Sequence, residues 1–259
     1  MALGDAEPYW AVVTHEKYRI ENLTEETLQE FYETGEPYVE WLFEVIRGVL
    51  DADFSPRSVL DFGCGVGRVL APLADRCEEV VGVDVADGML IRARARCESL
   101  GLANVRLEKS DDSLAGLPGA FELIHSFIVF QHIPPRRGMR ILGNLIGLLG
   151  DGGVGVLHFG YPGARERPAP AGAPRRTRPR RAAANLARRV AGPLLSKVMP
   201  RVDRSGPAPV FTYDYDLNAV FAVLQQSGIR RMHVEYTDHA GCLGVILFFQ
   251  RVSGAAYAA

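Results

Sequence analysis

The chain lacks any apolar run near the ~20 residues that a membrane-spanning helix needs, and no basic region followed by an apolar core opens it. These features argue against a membrane span and a secretory leader. Cysteine is scarce. The four thiols, Cys64, Cys77, Cys97 and Cys242, form no C-x-x-C pair, and no histidine cluster stands at metal-ligand spacing. The expectation is reduced thiols in a cytoplasmic protein that needs no metal. An excess of one charge sign is also missing: 29 Lys and Arg against 31 Asp and Glu leave a net charge of −2. That excludes a globally basic nucleic-acid binder. With 47% hydrophobic and 23% charged residues, the 259-residue chain has the make-up of one globular α/β domain plus additions.

What is present is a glycine-rich stretch, Val59-Leu60-Asp61-Phe62-Gly63-Cys64-Gly65-Val66-Gly67-Arg68. Val59, Leu60 and Phe62 form a short apolar run that reads as a buried strand. Glycines at alternate positions let a backbone bend sharply and approach a ligand without Cβ atoms in the way. The residues that follow, Arg68 to Ala74, have the apolar spacing of a helix. A loop of this kind between a strand and a helix start exposes N–H groups to a bound group. It predicts a small-molecule cradle at the carboxyl end of a first strand.

Further runs alternate between strand and helix. Val80-Val81-Gly82-Val83-Asp84 is a second buried strand ending in an acid, 23 positions after Asp61. Such an acid can accept hydrogen bonds from both ribose hydroxyls of a nucleoside. The helix after it is predicted over Gly88 to Leu100, capped by Asp87, with Met89, Leu90, Ala93 and Cys97 on one face. Asn104 to Glu108 is a third strand, and Phe121 to Phe130 a fourth with its exit. Pro134-Pro135 opens a helix, Gly150 to Gly153 is a turn, and Val154 to Phe159 is a fifth strand. Alternation of this kind implies a doubly wound parallel sheet. A helix from Leu217 to Leu224 precedes two final strands, Met232–Tyr236 and Leu243–Phe249, whose short joint Thr237 to Gly241 makes them an antiparallel hairpin.

The stretch Asp61-Phe62-Gly63-Cys64-Gly65-Val66-Gly67 resembles motif I of the class I S-adenosylmethionine-dependent methyltransferases, of the type 11/25-like domain. Phe121-Glu122-Leu123-Ile124-His125-Ser126 resembles their motif IV, with Glu122 in place of the usual Asp. Arg68 stands where a nicotinamide fingerprint would place its third glycine, which argues against NAD. The resemblance implies a Rossmann-like fold, mostly parallel with a C-terminal antiparallel hairpin, and S-adenosylmethionine as cofactor. It assigns cofactor contacts to Asp61, Gly63, Cys64, Gly65, Gly67, Asp84, Val85, Met89, Asp111, Asp112, Ser126 and Phe127. Among these, Met89 would lie near the adenine and Asp111 would accept its amino proton, with Asp112 close behind. The predicted organisation is an N-terminal helical cap over 1–54, a cofactor-binding core over 55–160, an insertion or lid over 161–209, and completion of the core sheet over 210–259. Aromatics of the first segment, among them Tyr9, Trp10 and Tyr18, read either as sheet-edge packing or as a lid over the cofactor cleft.

Residues 162–209 differ from the rest. They hold eleven Arg, one Lys, two acids and nine Pro, so twelve positive less two negative charges give +10. The part before Ala182 reads as a loop, and Leu186, Val190, Leu194 and Val198 as a basic amphipathic helix. The segment reads as a solvated insertion, an acceptor lid or a patch for an acidic partner.

Methyl transfer to an alcohol calls for a base near the acceptor. His132, after the fourth strand, is the first candidate; His158 is the second, and reads equally as a packed strand residue. His239 falls in the hairpin turn and His125 reads as buried structure. Ser126-Phe127-Ile128-Val129 stands where amide- and base-nitrogen methyltransferases of the family carry an acidic or amide residue and two prolines. The expectation is O-methylation of a small molecule, a sugar or secondary metabolite. The alternatives are a macromolecular acceptor, nucleic acid or membrane-bound, docked through the arginine-rich insertion, and a non-catalytic cofactor-binding protein.

Overall fold

The computed structural model describes residues 3–162, 212–239 and 242–252. One seven-stranded sheet organises them: β1 (Ser58–Phe62), β2 (Glu79–Asp84), β3 (Val105–Lys109), β4 (Phe121–Ser126), β5 (Leu149–Gly160), β6 (Arg231–His239) and β7 (Cys242–Gln250). Their order is β3-β2-β1-β4-β5-β7-β6. The first five strands are parallel where they pair, and β7 runs antiparallel to both β5 and β6. Central strands covered on both faces must be apolar nearly throughout. β1, β2, β4 and β7 obey this, while the edge strand β6 alternates with Arg231, His233 and Glu235.

Two helical layers close the sheet. On one face α4 (Gly35–Val49), α5 (Leu70–Ala74) and α6 (Asp87–Ser99) pack on Val59, Val80, Leu123, Val156 and Phe248. On the other, α7 (Pro135–Leu148) and α8 (Leu217–Gln226) pack on Leu60, Val81, Ile124, Phe159 and Phe249. The alternation of side chains along each strand divides the apolar residues between the layers. Ahead of α4 lie two short helices, α1 (Leu3–Ala6) and α2 (Pro8–Val12), and then α3 (Glu25–Glu33). A Thr24–Thr27 capping box starts α3. This is the Rossmann-like fold expected, antiparallel hairpin included.

Several local expectations change. The helix after the glycine loop does not start at Arg68. Gly67 N–H closes a turn on Cys64 and Leu70 N–H another on Gly67, so α5 begins only at Leu70. Asp87 does not cap α6; it is the first helical residue, and its carboxylate pairs with Lys109 at 2.6 Å. Gly150 to Gly153 is not a separate turn but the start of β5, with a register irregularity against β4. A Cβ on Gly153 would lie 2.9 Å from the Phe121 carbonyl oxygen, so glycine serves close strand approach there. The final strands are longer than predicted, which places His239 on β6. The loop and amphipathic helix read over 162–209 lie outside the described residues apart from Pro162.

Candidate active site

The glycine loop turns back on the tip of β2. Gly63, Gly65 and Gly67 have φ of +78°, +56° and +84°, a region that L side chains adopt only under strain. Gly63 and Cys64 N–H both donate to the Val83 carbonyl, at 2.8 and 3.0 Å. Asp84, half-buried at the end of β2, accepts from Gly65 N–H at 3.0 Å and from Ala86 N–H at 2.9 Å. Burial raises its pKa while these backbone donors oppose the rise. Cys64 turns its buried sulfur toward Gly82, and burial pushes that thiol well up. Whatever Cys64 offers a ligand therefore comes from its backbone.

Neighbouring segments crowd this loop. A Cβ on Gly63 would come within 2.3 Å of Val129 Cγ2, and one on Gly65 within 3.2 Å of Val12 Cγ2. Tyr32 OH donates to the Val66 carbonyl, and the Asp5 carboxylate accepts from Gly88 N–H. Met89 is buried with Val13, Tyr18, Phe31 and Tyr32. The segment ahead of β1 thus lies against both the glycine loop and the start of α6. Trp10 and Tyr18 are buried there, while Val85, one residue beyond Asp84, is 60% exposed.

Asp61, one residue before the end of β1, is 2% exposed. Its Oδ1 lies 2.8 Å from His125 Nδ1, and its buried Oδ2 has no hydrogen-bond partner among the described residues. The buried Ser126 hydroxyl is also without one. Phe127 follows, its ring 4.8 Å from Tyr38 and 5.2 Å from His158 between centroids. Ile128 has φ of +58°, an outlier for a β-branched residue, directly before the Val129 that fills the space beside Gly63. Such strain concentrates at functional turns.

Asp111 and Asp112 follow β3. One Asp111 oxygen is taken by its own turn, accepting from Ser113 N–H, Ser113 Oγ and Leu114 N–H. These donors hold the Asp111 carboxyl below the usual range. Asp112 faces Arg137, whose single Nε–H is shared between its two oxygens at 2.8 and 2.7 Å, and its carboxyl is lowered by that partner.

A cleft of about 250 Å³ opens at the carboxyl end of β5, lined by Gln131, His158, Gly160, Tyr161, Tyr213 and Asp214 among others. His158 is 1% exposed, and burial, with His239 and His132 nearby, drives its pKa down to about 3. Its Nε2 lies 3.0 Å from Thr237 Oγ1, and Nδ1 has no partner among the described residues. The His239 ring stands 5.5 Å away, its own buried Nε2 likewise unpartnered and its pKa lowered by burial. His132 is exposed at the end of a single turn, Phe130–His132, with Nε2 3.2 Å from Gln131 Nε2.

Ten of the sequence-derived positions, Asp61, Gly63, Cys64, Gly65, Gly67, Asp84, Val85, Met89, Ser126 and Phe127, therefore gather at the carboxyl ends of β1, β2 and β4. Asp111 and Asp112 stand beyond the end of β3, and His132 and His158 belong to the β4 and β5 ends. Sequence reasoning did not find Tyr38, Val129 or the pairing of His125 with Asp61. Only the Asp61–His125 register of β1 on β4 could have signalled the last.

Residues 59–153 match the family model for a methyltransferase domain. Among curated relatives, the ubiquinone biosynthesis O-methyltransferase of Ruegeria sp. (strain TM1040) is 34% identical over 83 residues, 32% of this chain and 34% of that protein. The 23S rRNA (uracil(1939)-C(5))-methyltransferase of Aeromonas hydrophila is 29% identical over 150 residues, 51% of this chain and 33% of that protein. The chain thus spans about a third of either relative. Among solved structures, magnesium protoporphyrin IX methyltransferase from Synechocystis PCC 6803, with bound S-adenosylhomocysteine, aligns with a TM-score of 0.56 at 20% identity. That alignment covers 85% of this chain and 83% of that one and shows a shared fold. Over residues 59–153 the chain is thus similar to a methyltransferase domain, carried on a fold shared with solved S-adenosylmethionine-dependent methyltransferases.

Proposed function

We propose that the chain transfers the methyl group of S-adenosylmethionine to a hydroxyl oxygen of a small-molecule acceptor. The observation that carries this reading is a set of buried polar atoms without partners at the carboxyl edge of the sheet. Asp61 Oδ2 and Ser126 Oγ lie on the glycine-loop side, and His158 Nδ1 and His239 Nε2 on the cleft side. An unpartnered buried polar atom costs roughly 1–3 kcal/mol, so a site that keeps several is shaped for ligand atoms.

The glycine-loop side fits the cofactor. Side chains at Gly63 or Gly65 would enter crowded space, and Asp84 stands where an acid can hold ribose hydroxyls. Val85 and Met89 would flank the adenine, Asp111 would accept its amino proton, and Phe127 and Ser126 would border the reactive end. Arg137 already occupies the Asp112 carboxylate, which leaves Asp112 the weaker member of that acidic pair. When bound, S-adenosylmethionine supplies an electrophilic methyl on a sulfonium, open to in-line attack.

The cleft side would hold the acceptor. His158, with its pKa near 3, is a poor proton acceptor at neutral pH, so its part is to hold and orient a hydroxyl. His132 is the base in this reading: exposed, beyond β4, and close enough to His158 to act on it electrostatically. Phe127 gives the acceptor an apolar wall. Sugars and hydroxylated secondary metabolites suit such a pocket. The O-methyltransferase relative supports this class.

Calorimetric titration with S-adenosylmethionine and S-adenosylhomocysteine, followed by turnover assays on saccharides, phenols and carboxylates, tests the reading. Binding with turnover of a hydroxylated compound is the expected result; absence of turnover across the set would remove the acceptor class. A second reading, a macromolecular acceptor, draws on the +10 charge of residues 162–209 and on the rRNA-methylating relative. Salt-dependent RNA binding lost on deleting 165–204 would favour it.

A further inference from the structure

Helix α4 reaches Asp61, two residues before the first glycine of the loop, through a buried chain of hydrogen bonds. Tyr38 OH lies 2.8 Å from His125 Nε2, and His125 Nδ1 lies 2.8 Å from Asp61 Oδ1. Tyr38, His125 and Asp61 are 1%, 2% and 2% exposed. Burial raises the Tyr38 pKa, so the phenol keeps its proton and can donate it to Nε2. A carboxylate only accepts, so the proton between the two side chains sits on Nδ1 and is donated to Asp61. One carboxylate oxygen is filled in this way, while Oδ2 stays buried without a partner among the described residues. The buried guanidinium nearby, Arg68, faces the Tyr38 ring and donates to the Thr34 carbonyl and hydroxyl. A buried carboxylate with one open oxygen calls for a cationic donor.

We propose that His125, held by Tyr38, is a positioning residue: it fixes the Asp61 carboxylate so that Oδ2 receives the ammonium of the cofactor's amino-acid end. It thereby governs affinity for that end of the ligand and not for the nucleoside end. The proposal rests on the cofactor reading above. It ties the segment ahead of β1 to cofactor recognition through Tyr38, beyond the contacts that segment makes with the loop.

The test compares two ligands that share adenosine and a thioether. S-adenosylhomocysteine carries the amino-acid end and 5′-methylthioadenosine lacks it. In His125→Leu, S-adenosylhomocysteine is expected to bind about tenfold or more weakly, as loss of a charge-assisted contact implies. Methylthioadenosine should stay within about twofold, which also shows that the variant is folded. His125→Asn keeps an N–H near the Nδ1 position and should restore affinity to within about threefold of wild type. Tyr38→Phe should show a smaller loss with the same ligand selectivity. Equal losses for both ligands in His125→Leu would mean a merely structural role, and unchanged S-adenosylhomocysteine affinity would mean that Asp61 is oriented otherwise; either overturns the proposal. A wild-type protein that binds methylthioadenosine but gains nothing from the amino-acid end would overturn it while sparing the nucleoside site. Wild type binding neither ligand would remove the cofactor reading itself.

Discussion

At the carboxyl ends of β1 and β2 the polar groups are backbone amides and carboxylates that sit within 24 residues of one another, from Asp61 to Asp84. Beyond β4 and β5 they are imidazoles, phenols and a threonine from segments as far apart as Gln131, His158, Tyr213 and Thr237. The first region is local and rigid: its left-handed glycines, the Val83 carbonyl and Asp84 hold one another in place. The second depends on strands distant in the chain: β7 lies between β5 and β6, and Thr237 of β6 reaches His158 of β5. A cofactor common to a family suits the first construction. An acceptor peculiar to one protein suits the second, because each lining residue can vary without disturbing a shared loop.

Substitutions that separate the two regions would sharpen this contrast. The largest effect is expected from Gly65→Arg, which places a long side chain at φ +56° against Val12. Binding of S-adenosylhomocysteine should weaken by about three orders of magnitude or beyond detection in calorimetry, and retained binding would mean the loop is not the cradle. Asp84→Ala removes the acceptor for Gly65 and Ala86 N–H together with the proposed ribose contact. It should cost about 30- to 100-fold in affinity with the fold intact, as two lost charge-assisted bonds imply. His132→Ala, on the other side, should lower kcat by about 100-fold and leave S-adenosylhomocysteine affinity unchanged. An unchanged rate would mean that proton removal needs no base or has another one.

A smaller effect is expected on stability against pH. His158 has its pKa lowered by burial to about 3. Above the ordinary histidine range it is neutral in both folded and unfolded chains and its contribution is fully present. As pH falls below that range the unfolded chain takes up a proton that the folded chain refuses. Stability is then lost toward acid, by up to about 1.4 kcal/mol per pH unit. His158→Gln should flatten the difference in unfolding free energy measured between about pH 6 and about pH 4.5; an identical slope would mean that His158 charges freely in the fold. The smallest effect belongs to Asp112→Ala. With its carboxylate spent on an exposed pair with Arg137, cofactor affinity should change by less than about threefold. A large loss would return Asp112 to the cofactor site.

The two regions also differ in how far they could be read from the chain. The glycine loop was legible because its chemistry is written in consecutive residues, and the buried strands because β-branched and aliphatic runs have few other uses. The start of α5 was misplaced because successive turns at Gly67 and Leu70 precede the helix, and apolar spacing cannot tell a turn from a first helical turn. Gly150 to Gly153 resembled a turn because glycine marks turns and close strand approach alike. His125 resembled core packing for a related reason. Its partners lie 64 and 87 residues away, and nothing local distinguishes a buried histidine with a carboxylate from one without.

By itself, then, the order of residues determined the sheet's parallel strands, the antiparallel ending and the glycine loop's likeness to a methyltransferase motif, since each depends on short-range patterning of apolar residues and glycine. Only the tertiary structure decided which polar atoms are left without partners. Strand register sets Asp61 beside His125, α4 delivers Tyr38 to that histidine, and β6 carries His239 and Thr237 to His158. The physical reason is that the cost of a buried polar atom depends on what the whole fold puts within hydrogen-bonding reach, and neighbouring residues in the chain do not set that distance.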